Sequence, residues 1–299
     1  MKVLISGASG LIGSALCRGL ERSRNSVTRL VRRSSGLGPS ELAWRPGERL
    51  DPALISGFDV VINLAGRNLA GRWSARTMRE IRESRLAATR TIAQAVAEAF
   101  AVAGKPAVLV SASAVGYYGN RGDELLTEAS PAGSGFLAEL CRDWEETALA
   151  AASAGVRVLL PRFGVVLSRD GGALAKMLPA FRLGLGGRLG SGEQFWSWIT
   201  LEDAAAAIAF MIANQQLAGP VNLTTPNPVT NEEFTQTLAR ALRRPALLPA
   251  PVFALRLAMG KMADEALLSS QRVHPAKLAA SGFHWRNPEL AEALRAVLA

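Results

Sequence analysis

The sequence predicts an α/β fold, a doubly wound parallel sheet with helices on both faces. Apolar segments of strand length alternate with helical patterns through the first half of the chain. The first strand runs into a glycine-spaced turn and then into a helix. With 49% hydrophobic residues in a chain of 299, the protein can bury a large core without disulfide bonds.

The first element is a strand from Met1 to Ile5, followed by Gly7, Gly10 and Gly13 at three-residue intervals and then by a helical pattern. The first glycine permits the turn out of the strand. The second lets the backbone approach a phosphate, and the third lets the helix pack closely on the sheet. This spacing predicts a dinucleotide whose pyrophosphate binds at the N-terminus of the helix.

The second strand, from Ser26 to Val31, ends in Arg32 and Arg33. An acidic residue at this position would hydrogen-bond to the ribose hydroxyls of NAD and repel a 2′-phosphate. Two guanidinium groups instead favour phosphate recognition, so the sequence predicts NADP(H) rather than NAD(H). The alternative interpretation is a solvated basic turn.

The next elements continue the alternation of strands and helices up to about residue 168, where the pattern changes. We predict strands at 58–64, 107–111 and 156–160, and helices at 74–101 and 136–154. The later elements are a helix and glycine-rich loop at 171–187, a strand at 195–200, a helix at 203–213, and short segments separated by prolines.

This change predicts two interleaved domains. The larger is an NADP(H)-binding Rossmann domain over residues 1–168, to which 196–215 returns. The smaller is an α/β substrate or lid domain formed by 169–195 and 216–299. Trp196 and Trp198 alternate along the predicted strand, so they either pack in the core or form a wall of the substrate site.

Composition narrows the functional class. The net charge of +9 comes mainly from scattered arginines, without a lysine run or nucleic-acid motif, so we expect a solvated surface and no nucleic-acid partner. Cys17 and Cys141 fall in apolar helical patterns, as expected for reduced thiols. His274 and His284 lack neighbouring ligands, so no metal site is predicted. With neither signal peptide nor membrane span expected, we predict a cytoplasmic protein without a membrane partner.

Several motifs in order along the chain resemble one family. They are SGASGLIG (6–13), INLAG (62–66), SAVGYYG (113–119), FLAELCRDWE (136–145), PRFGVVLS (161–168), GGALAKMLPAFRLGLGG (171–187) and WSWI (196–199). The chain resembles an atypical extended short-chain dehydrogenase/reductase of the NAD-dependent epimerase/dehydratase superfamily, in the YfcH-like "epimerase family protein" group. The resemblance implies that Ser113 lies at or next to the active-site serine. It assigns to the cofactor Gly7, Ser9, Gly10, Leu11, Ile12, Arg32, Leu64, Ala65, Gly66, Ser111, Ala112, Phe163 and Gly164. We also predict Gly13, Arg33 and Arg162 as cofactor-binding residues.

One departure from this family concerns catalysis. The superfamily uses a Tyr-x-x-x-Lys pair on one helix, where the lysine cation lowers the tyrosine pKa. The corresponding segment here, 136–145, contains neither residue, and the chain has only two tyrosines, Tyr117 and Tyr118.

Three hypotheses address the missing pair. In the first, Tyr117 or Tyr118 supplies the proton, helped by Ser113 and by a cation such as Lys176 or Arg162. In the second, a different NADP(H) reaction takes its acid or base from Glu139, Glu128 or the substrate. In the third, the protein binds NADP(H) without turnover, as a redox sensor or scaffold.

The preferred prediction is an NADP(H)-dependent oxidoreductase or epimerase acting on a small carbonyl, polyol or sugar-nucleotide-like substrate. A small-molecule substrate would be its partner. We expect the protein to be a monomer or homodimer.

Overall fold

A computed structural model describes all 299 residues. The strands are β1 Lys2–Ser6, β2 Ser26–Val31, β3 Glu41–Ala43, β4 Val60–Asn63, β5 Val108–Ser111, β6 Ser113–Ala114, β7 Leu125–Leu126, β8 Arg157–Phe163, β9 Val165–Leu167, β10 Phe195–Trp196, β11 Trp198–Thr200, β12 Gly219–Leu223, β13 Val229–Thr230 and β14 Arg272–Val273. The helices are α1 Leu11–Arg22, α2 Ala75–Ala103, α3 Phe136–Leu149, α4 Gly172–Arg182, α5 Leu201–Ala213, α6 Asn231–Leu242, α7 Val252–Met259, α8 Ala276–Ala280 and α9 Leu290–Leu298.

The central sheet has the strand order β12-β8-β5-β4-β1-β2-β3, with β6 also paired to β8. Every pairing in it is parallel. The chain reverses its direction of winding between β1 and β4, and a ligand in such a sheet binds beyond the carboxyl ends of the strands at this point. The predicted doubly wound parallel sheet is confirmed.

Both faces of this sheet are buried, which explains the continuous apolar character of its strands. Val3 and Ile5 pack on one face with α1 and α5. Leu4 points to the opposite face, where it joins Ile92 and Val96 of α2. This alternation follows from the two-residue side-chain period of a strand.

The C-terminal part has its own apolar cluster, in which Trp196 and Trp198 pack with Phe234 and Leu294. The predicted strand at 195–200 is divided in two. Trp196 lies in β10, which pairs antiparallel with β13, whereas Trp198 lies in β11, which pairs parallel with β9. Since both indoles are buried, they pack in the core and do not form a substrate wall.

Two predicted boundaries differ from the structure. Residues 219–223 were assigned to the smaller domain, but they form β12 at the edge of the main sheet, where α5 provides the crossover from β8. The predicted helix at 136–154 ends as an α-helix at Leu149, and its last residues tighten into a 3-10 turn before Gly155, which has φ +94°. Only glycine adopts that backbone conformation without strain.

Candidate functional site

The turn after β1 requires glycine at two of its three spaced positions. Gly7 has φ +72°, and a Cβ there would lie 2.6 Å from the backbone carbonyl group of Leu64. A Cβ on Gly13 would lie 2.2 Å from the carbonyl oxygen of Gly7. Gly7 therefore allows the turn to pack against the chain after β4. Gly13 allows α1 to pack against the turn.

Gly10 has a different role, because its own backbone is unstrained. Its φ is −75°, and a Cβ there would approach only the Gly7 carbonyl oxygen, at 3.2 Å. Gly10 is the N-cap of α1 and supplies no side-chain acceptor, so the first amides of the helix, from Leu11 to Gly13, have no capping partner. Gly10 and Ser9 are also exposed. The result is an open cradle of N–H groups at the positive end of a helix, a geometry that fits a pyrophosphate.

The two arginines after β2 have different surroundings. Arg33 forms an ion pair with Glu41, which also accepts a hydrogen bond of 2.7 Å from the Gly38 N–H. That backbone bond, followed by the nearby Arg33 charge, lowers the pKa of Glu41. Arg32 is exposed and forms no ion pair. Of the two predicted phosphate ligands, Arg32 is therefore the free one.

The loop after β4 is held by Asn63. Its side-chain oxygen accepts hydrogen bonds from the Ser6 hydroxyl at 2.8 Å and from the Ala65 N–H at 3.3 Å. Its amide nitrogen donates to Thr89 at 2.8 Å. These buried bonds join the ends of β1 and β4 and fix the segment Leu64–Gly66 beside the glycine turn.

Ser113 lies in a buried ionic group at the end of the β5 segment. Its hydroxyl donates to Glu145 of α3 at 2.6 Å. Arg162 of β8 binds both oxygens of the same carboxylate, at 2.8 and 2.7 Å. The Arg162 and Glu145 side chains are only 3% and 7% exposed, so this pair keeps its charges through mutual bidentate contact.

Arg162 also contacts both tyrosines. Its Nη1 donates to the Tyr118 hydroxyl at 2.9 Å, and its guanidinium carbon lies 3.5 Å from the centroid of the Tyr117 ring. With its donors directed to Glu145 and Tyr118, Arg162 holds other side chains in place. Its predicted role as a cofactor ligand stays a prediction.

The two tyrosines differ in burial and in hydrogen bonding. Tyr118 is fully buried, and its hydroxyl donates to Asn222 of β12 at 2.7 Å. Burial raises the pKa of Tyr118 to about 12. Tyr117 is only half-buried. Its hydroxyl makes no hydrogen bond within the protein, whereas the Tyr118 hydroxyl makes two. The Tyr117 hydroxyl is thus the one that a ligand can reach.

The other proposed acid, base and cation residues make no hydrogen bond to either tyrosine. Lys176 is exposed on α4, so the cation found at the tyrosines is Arg162. Glu139 is exposed in the first turn of α3. Glu128 is buried, and its Oε1 atom accepts backbone N–H bonds from Asn222 at 3.0 Å and Lys277 at 3.2 Å.

The face of α3 that meets this group carries no proton-transfer pair. A Cβ on Gly116 would lie 3.1 Å from Leu137, and Cys141, one helical turn further on, lies beside Ser113. Burial raises the pKa of the Cys141 thiol to about 12. Leu137 and Cys141, four residues apart, therefore form the face of α3 that meets Gly116 and Ser113.

The remaining predicted cofactor residues surround the same strand ends. Ser111 accepts a buried hydrogen bond of 3.4 Å from Asn63, and the Ala112 N–H donates to the Asn63 carbonyl at 3.0 Å. Phe163 packs in the core cluster under α1 and α5. A Cβ on Gly164 would lie 2.5 Å from the Ser197 carbonyl oxygen, so glycine is required there for packing.

Two residues of this site, Glu145 and Asn222, are not among the residues predicted from the sequence. Glu145 is the last residue of the FLAELCRDWE motif. An acidic residue among the buried positions of a helix was the one sequence feature that could have indicated its role. Asn222 lies 104 residues from its partner Tyr118, so no local pattern could join them.

The fold and the open helix N-terminus define a nucleotide-binding protein with the Rossmann-like fold of short-chain dehydrogenases/reductases. The model of the NAD dependent epimerase/dehydratase family matches residues 3–223. The chain belongs to this family. A second model, described as a domain of unknown function (DUF1731), matches residues 250–297.

Individual relatives extend over nearly the whole chain. The Mycobacterium bovis epimerase family protein Mb2239 is 48% identical over 98% of this chain and 96% of its own. The Arabidopsis thaliana protein named epimerase family protein SDR39U1 homolog, chloroplastic, is 40% identical over 100% and 87%. The crystal structure of human epimerase family protein SDR39U1 (isoform2) with NADPH superposes with a TM-score of 0.90, at 34% identity over 99% of both chains.

Two further features are absent from the structure. No helix combines the length and apolar character needed to cross a bilayer. No group of three or more His, Cys, Asp or Glu side chains is arranged to hold a metal ion.

Proposed function

We propose that this protein binds NADP(H) in the cytoplasm and acts as an oxidoreductase or epimerase on a small carbonyl, polyol or sugar-nucleotide-like substrate. One observation carries the proposal: the uncapped amides after Gly10 lie after β1, and the unpaired Arg32 lies after the adjacent strand β2. Together they provide a site for a pyrophosphate and a cation for a 2′-phosphate. The human relative, whose structure contains NADPH, supports this choice.

The electrostatics near Arg32 support NADP(H) over NAD(H). Glu41 is the carboxylate on the neighbouring strand β3, and it would repel a 2′-phosphate if its charge were free. Arg33 and the Gly38 N–H neutralise that charge locally. Arg32 is therefore available to a phosphate without a competing carboxylate.

A bound nicotinamide would supply or accept hydride, and the protein must then provide a proton carrier. We assign this role to Tyr117, because its hydroxyl is free while Tyr118 is committed to Arg162 and Asn222. The guanidinium of Arg162 lies against the Tyr117 ring and fixes its position. Ser113 donates to Glu145, so its oxygen lone pairs can accept a hydrogen bond from a substrate hydroxyl.

A second candidate function is NADP(H) binding without turnover, as a redox sensor or scaffold. The observation that favours it is the character of α3, which presents Leu137 and a buried Cys141 thiol to the site instead of a proton-transfer pair. In this case the oxidised and reduced cofactors would stabilise different conformations or different partner complexes.

We also propose that the smaller domain, residues 169–195 and 224–299, holds the substrate over the nucleotide domain. Its attachment to the site supports this role: Glu265 accepts hydrogen bonds from the first amides of α3, Phe136 and Leu137, both at 3.1 Å. The smaller domain also contacts the chain between β4 and α2: the backbone N–H of Trp73 donates to the Met259 carbonyl at 2.9 Å. We expect a monomer or a homodimer.

The test combines ligand identification with variants of the tyrosine pair. Mass spectrometry of material released from the purified protein should show NADP(H), and a panel of carbonyls, polyols and sugar nucleotides should reveal a substrate by NADPH absorbance. Tyr117→Phe should then lower turnover by roughly 10²-fold with little change in NADPH affinity.

The outcomes separate the candidates. Turnover that survives Tyr117→Phe would remove the tyrosine mechanism. A lack of turnover on the whole panel, with different conformations for the two cofactor states, would favour the sensor.

A further inference from the structure

Arg85 on α2 is a buried cation without an acidic partner. Its side chain makes one hydrogen bond, from Nη1 to the Ile81 carbonyl at 3.2 Å, and the residue is only 8% exposed. The one other titratable group that acts on its charge is the Cys141 thiol. An unpaired guanidinium is expensive to bury, so a group outside the protein is expected to complete its bonding.

The guanidinium lies between the ends of two strands of the site. A Cβ on Gly66, in the loop after β4, would lie 3.3 Å from the Cγ and Cζ atoms of Arg85. The Cζ atom is also 5.2 Å from the centroid of the Trp144 ring on α3. Cys141, on the same helix, lies beside Ser113. Arg85 thus reaches the region between the loop after β4 and Ser113 just beyond β5.

We propose that Arg85, on α2, binds the nicotinamide half of NADP(H). This inference rests on the proposed NADP(H) binding.

The direction of the dinucleotide across the sheet supports this assignment. The phosphate cradle lies after β1, and Arg32 lies after β2. If these two groups hold the pyrophosphate and the adenosine half, the other half must extend over β4 and β5, the neighbours of β1 on its opposite side. Of the two buried arginines in that region, Arg85 is the one without an acidic partner, since Arg162 is paired with Glu145.

The chemistry of the guanidinium suits the ribose of the nicotinamide half. That ribose carries two adjacent hydroxyl oxygens, and a guanidinium presents parallel N–H donors in a planar fork. Burial lowers the pKa of Arg85 to about 10, which still leaves the side chain cationic at neutral pH. The neighbouring Trp144 ring can stack on the cation but cannot accept its in-plane hydrogen bonds.

The test compares two nucleotides on Arg85→Met. NADPH contains both halves of the dinucleotide, whereas adenosine 2′,5′-bisphosphate lacks the nicotinamide half. By calorimetric titration, the variant should bind NADPH at least about tenfold more weakly and the bisphosphate as tightly as the wild type does. Because methionine removes an uncompensated buried charge, the melting temperature should be unchanged or higher.

Two further variants serve as controls. Arg90→Met makes the same change at an exposed position of α2 and should leave both affinities unchanged. Arg85→Lys keeps the charge and should recover part of the NADPH affinity.

The outcomes distinguish this inference from the proposed function. Equal affinities of wild type and Arg85→Met for NADPH, or equal weakening of both nucleotides, would overturn the role of Arg85. A wild-type protein that binds neither nucleotide would instead overturn NADP(H) binding itself.

Discussion

At the β1–β2 end of the sheet the candidate site consists largely of backbone, whereas at the β5 end it consists of buried side chains. The first end presents the amides after Gly10 and one free side chain, Arg32. The second end joins Ser113, Glu145, Arg162 and Tyr118 through hydrogen bonds of 2.6 to 2.9 Å. The glycine end matches the family pattern, and the side-chain end departs from it.

This difference follows from what each end requires. A phosphate cradle needs backbone geometry, and Gly7 and Gly13 are fixed by contacts that exclude any Cβ. A proton-transfer site needs particular side chains, which can be replaced while the helix that carries them is retained. Here α3 keeps its place in the fold but presents Leu137 and Cys141. The glycine turn is therefore present in this fold without a Tyr-x-x-x-Lys pair on α3.

The largest expected effect is on the stability of the side-chain end. Glu145→Ala would leave the Arg162 guanidinium buried without a counter-charge, so we expect a loss of about 3–5 kcal/mol in the free energy of unfolding, measured by urea denaturation. Glu139→Ala, at an exposed position of the same helix, should change it by less than about 0.5 kcal/mol. Similar small losses in both variants would mean that the buried pair does not organise this end.

The second effect is on binding at the backbone end. Gly10→Val should weaken NADPH binding by at least about 10²-fold. The phosphate cradle is open at this position because glycine has no Cβ, and a valine side chain would fill it. Its melting temperature should stay near the wild-type value, since Gly10 has an ordinary φ of −75°.

Gly13→Ala provides the contrast at this end, because its Cβ would lie 2.2 Å from a carbonyl oxygen. It should destabilise the fold itself. A folded Gly10→Val protein that kept its NADPH affinity would contradict pyrophosphate binding by the amides after Gly10.

A third, smaller effect distinguishes the two tyrosines. Tyr118→Phe removes a hydroxyl that bonds both Arg162 and Asn222, so it should cost about 1–3 kcal/mol of unfolding free energy. Tyr117→Phe removes a hydroxyl without a protein partner and should change stability by less than about 0.5 kcal/mol. Thermal denaturation of both variants checks this, and the reverse order would exchange their assigned roles.

The sequence predicted the backbone end more completely than the side-chain end, for a physical reason. Glycine spacing, strand length and helical periodicity are local, so β1, α1, β2 and the glycine turn between the first two could be placed from adjacent residues. The bonds of Ser113, Arg162 and Tyr118 join residues separated by 32, 17 and 104 positions. Only the packed fold shows that Arg162 is committed to Glu145 and that Tyr117 is the open tyrosine.

The boundary of the smaller domain was misplaced for a related reason. β12 is a short strand whose place in the main sheet depends on pairing with β8, about 60 residues earlier in the chain. Its own sequence, with Pro220 and Asn222, does not distinguish it from the short strands of the C-terminal part.

The most direct measurement is a calorimetric titration of NADPH and NADH into the wild-type protein and into Arg32→Ala, with Arg33→Ala as the matched control. We expect the wild type to bind NADPH at least about tenfold more tightly than NADH, a difference of roughly 1.4 kcal/mol. Arg32→Ala should lose most of this preference, and Arg33→Ala should lose less because Arg33 is paired with Glu41. Equal wild-type affinities, or a preference unchanged in Arg32→Ala, would contradict the assignment of this end of the site to NADP(H).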